Sequence, residues 1–266
     1  MGRIIAVANQ KGGVGKTTSC VNLAASLSAN GHNVLLIDLD PQGNATVGSG
    51  VEKNGLTHTA YDVLTERCTL EQALITSPSG GFAVLPANGD LTAAEVELLD
   101  AHAREQRLRG ALREQAEAYA FVLIDCPPSL NILTLNALVA AHGVLIPIQC
   151  EYFALEGLTA LLETIRGVQA SANRSLKIEG LLRTMFDARN NLANQVGEQL
   201  HAHFGESLYE TVIPRNVRLA EAPSHGLPVL VYDRASRGAL AYMALAGEVE
   251  RRHHLSAGID NVLPAQ

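Results

Sequence analysis

Apolar residues in this chain gather in short runs of strand length, each followed by turn residues and then by a stretch with apolar positions at helical spacing. The first run covers 3–8. Residues 19–30 follow it, with Val21, Leu23, Ala24 and Leu27 on one helical face, and Gly31 closes that helix. A second run, 32–38, ends in acidic residues. Further runs at 82–86, 121–124, 144–148, 178–185 and 208–213 predict strands, and the patterns between most of them predict helices at about 90–118, 130–141, 155–171, 191–203 and 236–252. Strands alternating with helices predict an α/β fold: a mostly parallel twisted sheet, joined by right-handed crossovers and covered by helices on both faces. One domain over 1–255 is expected, with 256–266 as a flexible tail. Ligands of such sheets bind at the carboxyl ends of the strands, so the residues that follow each strand carry the candidate chemistry.

The first strand runs into Gln-Lys-Gly-Gly-Val-Gly-Lys-Thr-Thr at 10–18. Glycines Gly12, Gly13 and Gly15 let backbone N–H groups curl around phosphate oxygens, and the following helix turns its positive dipole end toward the same anion. The phosphate-loop pattern is matched only loosely, yet the order strand, glycine loop, helix is the required one. Lys16 is placed to reach β and γ phosphates, and the Thr17 hydroxyl to ligate magnesium. Lys11 is a second cation at the start of the loop. A single phosphate chain does not need it, and a second subunit would explain it.

Two other strand ends supply carboxylates. The second strand closes on Asp38-Leu39-Asp40-Pro41-Gln42-Gly43, where alternation puts Asp38 and Asp40 on one face before Pro41 and Gly43 turn the chain. Beside a nucleotide loop, a carboxylate here can position the water that attacks a γ phosphate. The run 121–124 is closed by Asp125, the arrangement that supports magnesium in phosphate-loop NTPases. Cys126, next in line, reads as a small packed residue. Polar groups also concentrate after two later strands, in 184–191 and 212–224.

Composition narrows the classes. With 47% hydrophobic and 18% charged residues the 266-residue chain can bury a sizeable core. The formal net charge of −7 argues against a broadly basic nucleic-acid binder without excluding a local patch. Only Lys11, Lys16, Lys53 and Lys177 are lysines, so arginine supplies most of the positive charge. The four cysteines, Cys20, Cys68, Cys126 and Cys150, have no paired spacing, so neither a metal site nor a disulfide framework is suggested and a reducing cytoplasm is expected. No apolar run approaches the roughly 20 residues of a membrane span, and the first strand starts too early for a signal peptide.

The motifs at 8–18, 36–44, 123–129, 149–157 and 213–224 together resemble the ParA (Soj-like) chromosome-partitioning ATPases, the deviant Walker A family that also holds MinD, along nearly the whole chain. The resemblance implies a slow Mg²⁺-dependent ATPase using ATP and yielding ADP. It implies an ATP-bound sandwich homodimer in which Lys11 crosses to the partner's phosphates and Gly12 lets the two loops approach. Gly13, Val14, Gly15, Lys16, Thr17 and Thr18 would line the nucleotide. Lys11, Lys16 and Asp40 would serve hydrolysis, with Asp40 positioning the water. Thr17 would ligate magnesium, with Asp125 behind it through water, and Pro214 and Asn216 would meet adenine. The same resemblance implies non-specific DNA binding through Arg189 and Arg218, release on hydrolysis stimulated by a ParB-type partner, and a cytoplasmic, nucleoid-associated location without membrane contact. Composition does not show the DNA face, because residues 181–237 carry six basic and six acidic side chains.

Membrane cycling of the MinD kind is the nearest alternative. It calls for a C-terminal amphipathic helix, and Gly258, Pro264 and the lack of an aromatic anchor in 250–266 argue against one. A cluster-bearing ATPase would need paired cysteines, and a tyrosine kinase of the superfamily a tyrosine-rich tail.

Overall fold

The computed structural model describes residues 2–152 and 154–260. In chain order the strands are β1 (Arg3–Val7), β2 (Val34–Asp38), β3 (Ile75–Thr76), β4 (Ala83–Leu85), β5 (Phe121–Asp125), β6 (Gly143–Gln149) and β7 (Lys177–Thr184). The helices are α1 (Lys16–Ala29), α2 (Asn44–Gly48), α3 (Ala60–Leu64), α4 (Leu70–Ala73), α5 (Leu91–Glu97), α6 (Arg107–Leu112), α7 (Ile132–Ala140), α8 (Ala154–Ser171), α9 (Asn191–Phe204), α10 (Val217–Glu221), α11 (Val229–Tyr232) and α12 (Arg237–Asp260). Residues 261–266 of the expected tail lie outside the described residues, and 256–260 continue α12.

The seven strands form one sheet in the order β3-β4-β2-β5-β1-β6-β7, parallel throughout except for β3, which pairs antiparallel with β4. The expected α/β fold with a mostly parallel, doubly covered sheet is what forms. Alternation explains the two cores. Ile4, Ala6, Leu35, Ile37, Val122, Ile124, Val144 and Ile146 pack on one face with residues of α3 and α5 to α9. Ile5, Val7, Val34, Leu36, Phe121, Leu123 and Leu145 pack on the other against α1 and α12. Both faces of each central strand are therefore dry, which is why these strands read as continuous apolar runs.

Two predicted elements differ. The segment 208–213 is not a strand: it meets β7 at an isolated bridge between Leu181 and Leu208, and a second isolated bridge, between Phe186 and Pro214, lies just beyond both. Tyr209 N–H and Ile213 N–H donate to β7 carbonyls at 2.9 Å each, but between them the N–H groups of Glu210 and Thr211 donate to the Glu248 carboxylate of α12, both at 3.0 Å. A buried side chain has taken the place of ladder bonds. The helix expected at 90–118 breaks into α5, α6 and short 3₁₀ turns around Ala103, which is left-handed at φ 50°. There Asn136 of α7 satisfies the broken backbone, accepting from Leu108 N–H and donating to Arg104 O.

Candidate nucleotide site

β1, β2 and β5 lie side by side in register, so Asp38 and Asp125 are direct neighbours at the carboxyl edge of the sheet. The glycine loop leaves β1 at the same edge. Gly13 and Gly15 adopt φ of 74° and 88°, the left-handed region that side chains disfavour. Gly15 caps α1 without any side-chain acceptor, whereas α7 and α9 have their first N–H groups taken by Asn131 and Asn190. The first turn of α1 thus keeps its backbone donors for an anion.

Side chains hold this loop in place from a distance. Asn9 accepts from Lys11 N–H at 3.0 Å and donates to Pro147 O at 2.7 Å, anchoring the loop to β6. Thr184, closing β7, donates its hydroxyl to Val14 O at 2.7 Å. Val14 is buried, while Gly12 and Gly13 are exposed and Thr17 and Thr18 half-buried. Thr18 O accepts from Asn22. Neither Asn9 nor Thr184 was assigned a role from the sequence.

Lys16 is buried, 7% exposed, and its ammonium donates to Lys11 O at 3.2 Å. Burial lowers its pKa, and the carboxylate of Asp125 is the largest opposing influence. Asp125 is fully buried, and neither of its oxygens has a hydrogen-bond partner. Burial and then the neighbouring Asp38 push its pKa well up; the Thr17 hydroxyl lies near enough to oppose this without completing a well-aligned bond. An uncompensated buried carboxyl beside a hydroxyl suits a hard, oxygen-seeking cation. No group of three or more His, Cys, Asp or Glu side chains among the described residues could hold a metal alone. Magnesium held through Thr17 and Asp125 would therefore need the phosphates of a nucleotide, the usual arrangement for this ion.

Asp40 is 9% exposed, and its Oδ1 accepts from Gln42 N–H at 2.9 Å. Asp38 is fully buried and pushed up to about 6 by that burial, against the hydrogen bonds it accepts from Thr46 and Asp40. Cys126 is buried with its thiol raised by burial, a packed residue as expected. Lys11 pairs with Glu151, just past β6, at 2.6 Å, both side chains partly exposed at 38% and 48%.

The 212–224 loop approaches from the other end of the edge. Pro214 bridges Phe186, and Asn216 starts α10 without capping it, its buried Oδ1 lacking a partner. Met185, which precedes Phe186, is held at φ 49°. Arg189 is 89% exposed and chelated by Asp187, with contacts of 2.9 and 2.8 Å. Arg218 pairs with Glu221 at 2.8 Å and Asp233 at 3.2 Å. The structure thus gathers the loop lysines and the strand-end aspartates at one edge, and leaves Arg189 on the turn after β7 and Arg218 on α10, each with acidic partners.

A sequence model describing an AAA domain matches residues 2–178. The sporulation initiation inhibitor protein Soj of Bacillus subtilis is 52% identical over 94% of this chain and 98% of its own. The chromosome partitioning protein ParA of Caulobacter vibrioides is 51% identical over 94% of each chain. The chain belongs to the ParA/Soj family of chromosome-partitioning ATPases. Among solved structures, a cobyrinic acid a,c-diamide synthase of Mycobacterium smegmatis, with bound ADP and magnesium, superposes with a TM-score of 0.84 at 38% identity, covering 97% of each chain. The ParA/Soj relatives share more of the sequence over a similar span, and they carry the family assignment.

Proposed function

We propose that this ParA/Soj-family chain binds ATP with Mg²⁺ as a sandwich homodimer, that the dimer binds DNA without sequence preference on the nucleoid, and that slow hydrolysis, raised by a ParB-type partner, releases it. The observation that carries the nucleotide chemistry is the buried, partnerless carboxylate of Asp125 beside Lys16 and the uncapped start of α1. Magnesium would supply charge neutralisation on the phosphates. Thr17 and Asp125 would hold it, Asp125 through water.

Lys16 orients the phosphate chain and Asp40 orients water for attack. Gly12 is exposed and would let two loops meet, with Lys11 leaving Glu151 for the partner's phosphates. Asn216, with an unused acceptor, suits the amino group of adenine beside Pro214. Two copies of Arg189 and Arg218 on one face of the dimer would form the DNA contact, their acidic partners giving way to phosphates. The test is retention of DNA with ATP, with ADP and without nucleotide, run in parallel with anionic lipid vesicles. ATP-dependent binding to DNA and not to vesicles is expected; vesicle binding in place of DNA binding would overturn the reading in favour of membrane cycling.

A further inference from the structure

Asp38 and Asp40 share a strand end, yet their surroundings give them different tasks. The carboxylate of Asp38 accepts from three donors: the Asp40 N–H at 3.1 Å, the Thr46 N–H at 2.8 Å and the Thr46 hydroxyl at 2.7 Å. The Thr46 hydroxyl in turn accepts from the Ala87 N–H at 2.9 Å, just beyond β4. Thr46 is wholly buried, and its hydroxyl both donates, to Asp38, and accepts, from Ala87. Gly43 closes the same turn against the same neighbour. It is left-handed at φ 65°, and a Cβ there would stand 2.6 Å from Ala87 O.

The turn that carries Asp40 is therefore clamped between β2 and the exit of β4 by Asp38, Thr46 and the backbone of Ala87. The Asp40 carboxylate itself accepts only a short-range bond, from Gln42 N–H. Its place is set by the backbone, and the backbone is set by this bracket. Displacements of about 1 Å in a reacting group can cost on the order of a hundredfold in rate, so such a bracket has kinetic weight.

We propose that Thr46 is a positioning residue for ATP hydrolysis, fixing through Asp38 and Ala87 the turn that carries Asp40. This rests on the reading of Asp40 as the group that orients the water. The Thr46 hydroxyl bonds Asp38 and Ala87 rather than the glycine loop, so nucleotide binding is left aside and only the chemical step depends on it. Removing the hydroxyl takes one donor from Asp38 and leaves the Ala87 N–H without an acceptor, and the turn shifts to recover them.

Single-turnover hydrolysis and affinity for a fluorescent ATP analogue, measured on the full chain, test this. Thr46→Val is expected to slow hydrolysis about tenfold with ATP affinity held within about twofold, and Thr46→Ser to recover the rate to within about threefold of the parent. Asp38→Asn keeps the volume but turns an amide donor toward one of the backbone N–H groups, and it should slow hydrolysis with affinity retained when read without Mg²⁺, since Asp38 adjoins Asp125. It also carries the test if Thr46→Val does not fold. Parent-like hydrolysis in a folded Thr46→Val or in Asp38→Asn, or a loss of affinity matching the loss of rate, would overturn the proposal. Asp40→Ala run alongside separates the two levels. Parent-like hydrolysis there would overturn the functional reading itself, whereas arrest there with an unaffected Thr46→Val would remove only the bracket.

Discussion

The nucleotide end of the sheet and the arginine loops carry charge in opposite ways. Lys16, Asp38 and Asp125 are buried: the Lys16 ammonium donates to a backbone carbonyl, the Asp38 carboxylate accepts from two backbone N–H groups and the Thr46 hydroxyl, and the Asp125 carboxyl has no hydrogen-bond partner. Arg189 and Arg218 are exposed and already neutralised by Asp187, Glu221 and Asp233. Buried charge is costly to leave unmatched, so a buried carboxyl without a hydrogen-bond partner favours either its own proton or a bound cation. Exposed ion pairs contribute little and exchange readily, so paired arginines reveal no ligand in the monomer. The first region carries its chemistry in its own geometry, and the second would carry the proposed DNA contact only once doubled in a dimer.

That contrast can be broken at its strongest point first. Lys16→Ala removes a buried cation from the phosphate site, and a charged hydrogen bond of about 1.5–3 kcal/mol corresponds to a loss of about 10- to 150-fold in ATP affinity, read by titration of a fluorescent analogue. Retained affinity would mean that the loop backbone binds alone. Asp125→Asn should separate stability from function. Relief of the buried carboxyl stabilises the nucleotide-free protein by about 1–3 kcal/mol, a rise of several degrees in Tm, while the stabilisation given by added Mg-ATP shrinks. A fall in Tm would mean that Asp125 is already compensated.

The arginine loops give smaller effects. Arg189→Ala and Arg218→Ala should each reduce the salt dependence of DNA binding by about 2 in log–log slope, one phosphate contact from each subunit, with ATP hydrolysis in the absence of DNA unchanged. Unchanged slopes in both would move the DNA surface elsewhere. The smallest effect is a titration. Pairing with Arg189 holds the Asp187 carboxyl down to about 2, so whatever the pair contributes is present above the ordinary value of 3.8 and is lost as pH falls through about 2. In Arg189→Ala, which keeps the backbone N–H bond to Asp187, the carboxyl should titrate above about 2 by NMR; a value still near 2 would mean that the guanidinium does not set it.

The same contrast governs what the sequence could show. β1, the glycine loop and α1 are legible because burial on both sheet faces imposes apolar runs, and phosphate chemistry imposes glycines and a lysine at fixed spacing. Asp40 and Asp125 stand out because a polar residue closing an apolar run is conspicuous. Thr184 and Thr46 do not, since their roles lie in hydrogen bonds to Val14 and Ala87, partners 170 and 41 residues away. The segment 208–213 has a strand's composition, yet distant side chains take its backbone groups: the Glu248 carboxylate, 37 residues on from Thr211, accepts from its N–H groups at Glu210 and Thr211, and Arg183 and Arg252 donate to its carbonyls. Local pattern cannot register a competitor of that kind.

Lys11 links the two regions, since an ATP-dependent dimer is what would double the arginines. In the single chain its ammonium is held by Glu151, an exposed pair weak enough to give way to a partner's phosphates. The most direct measurement is sedimentation velocity with ATP in the Asp40→Ala background, comparing Lys11 with Lys11→Ala. A dimer that depends on Lys11, with nucleotide still bound to the Lys11→Ala monomer, is the expected result. A Lys11→Ala protein that dimerises as readily as its parent would contradict the cross-subunit role on which the account turns.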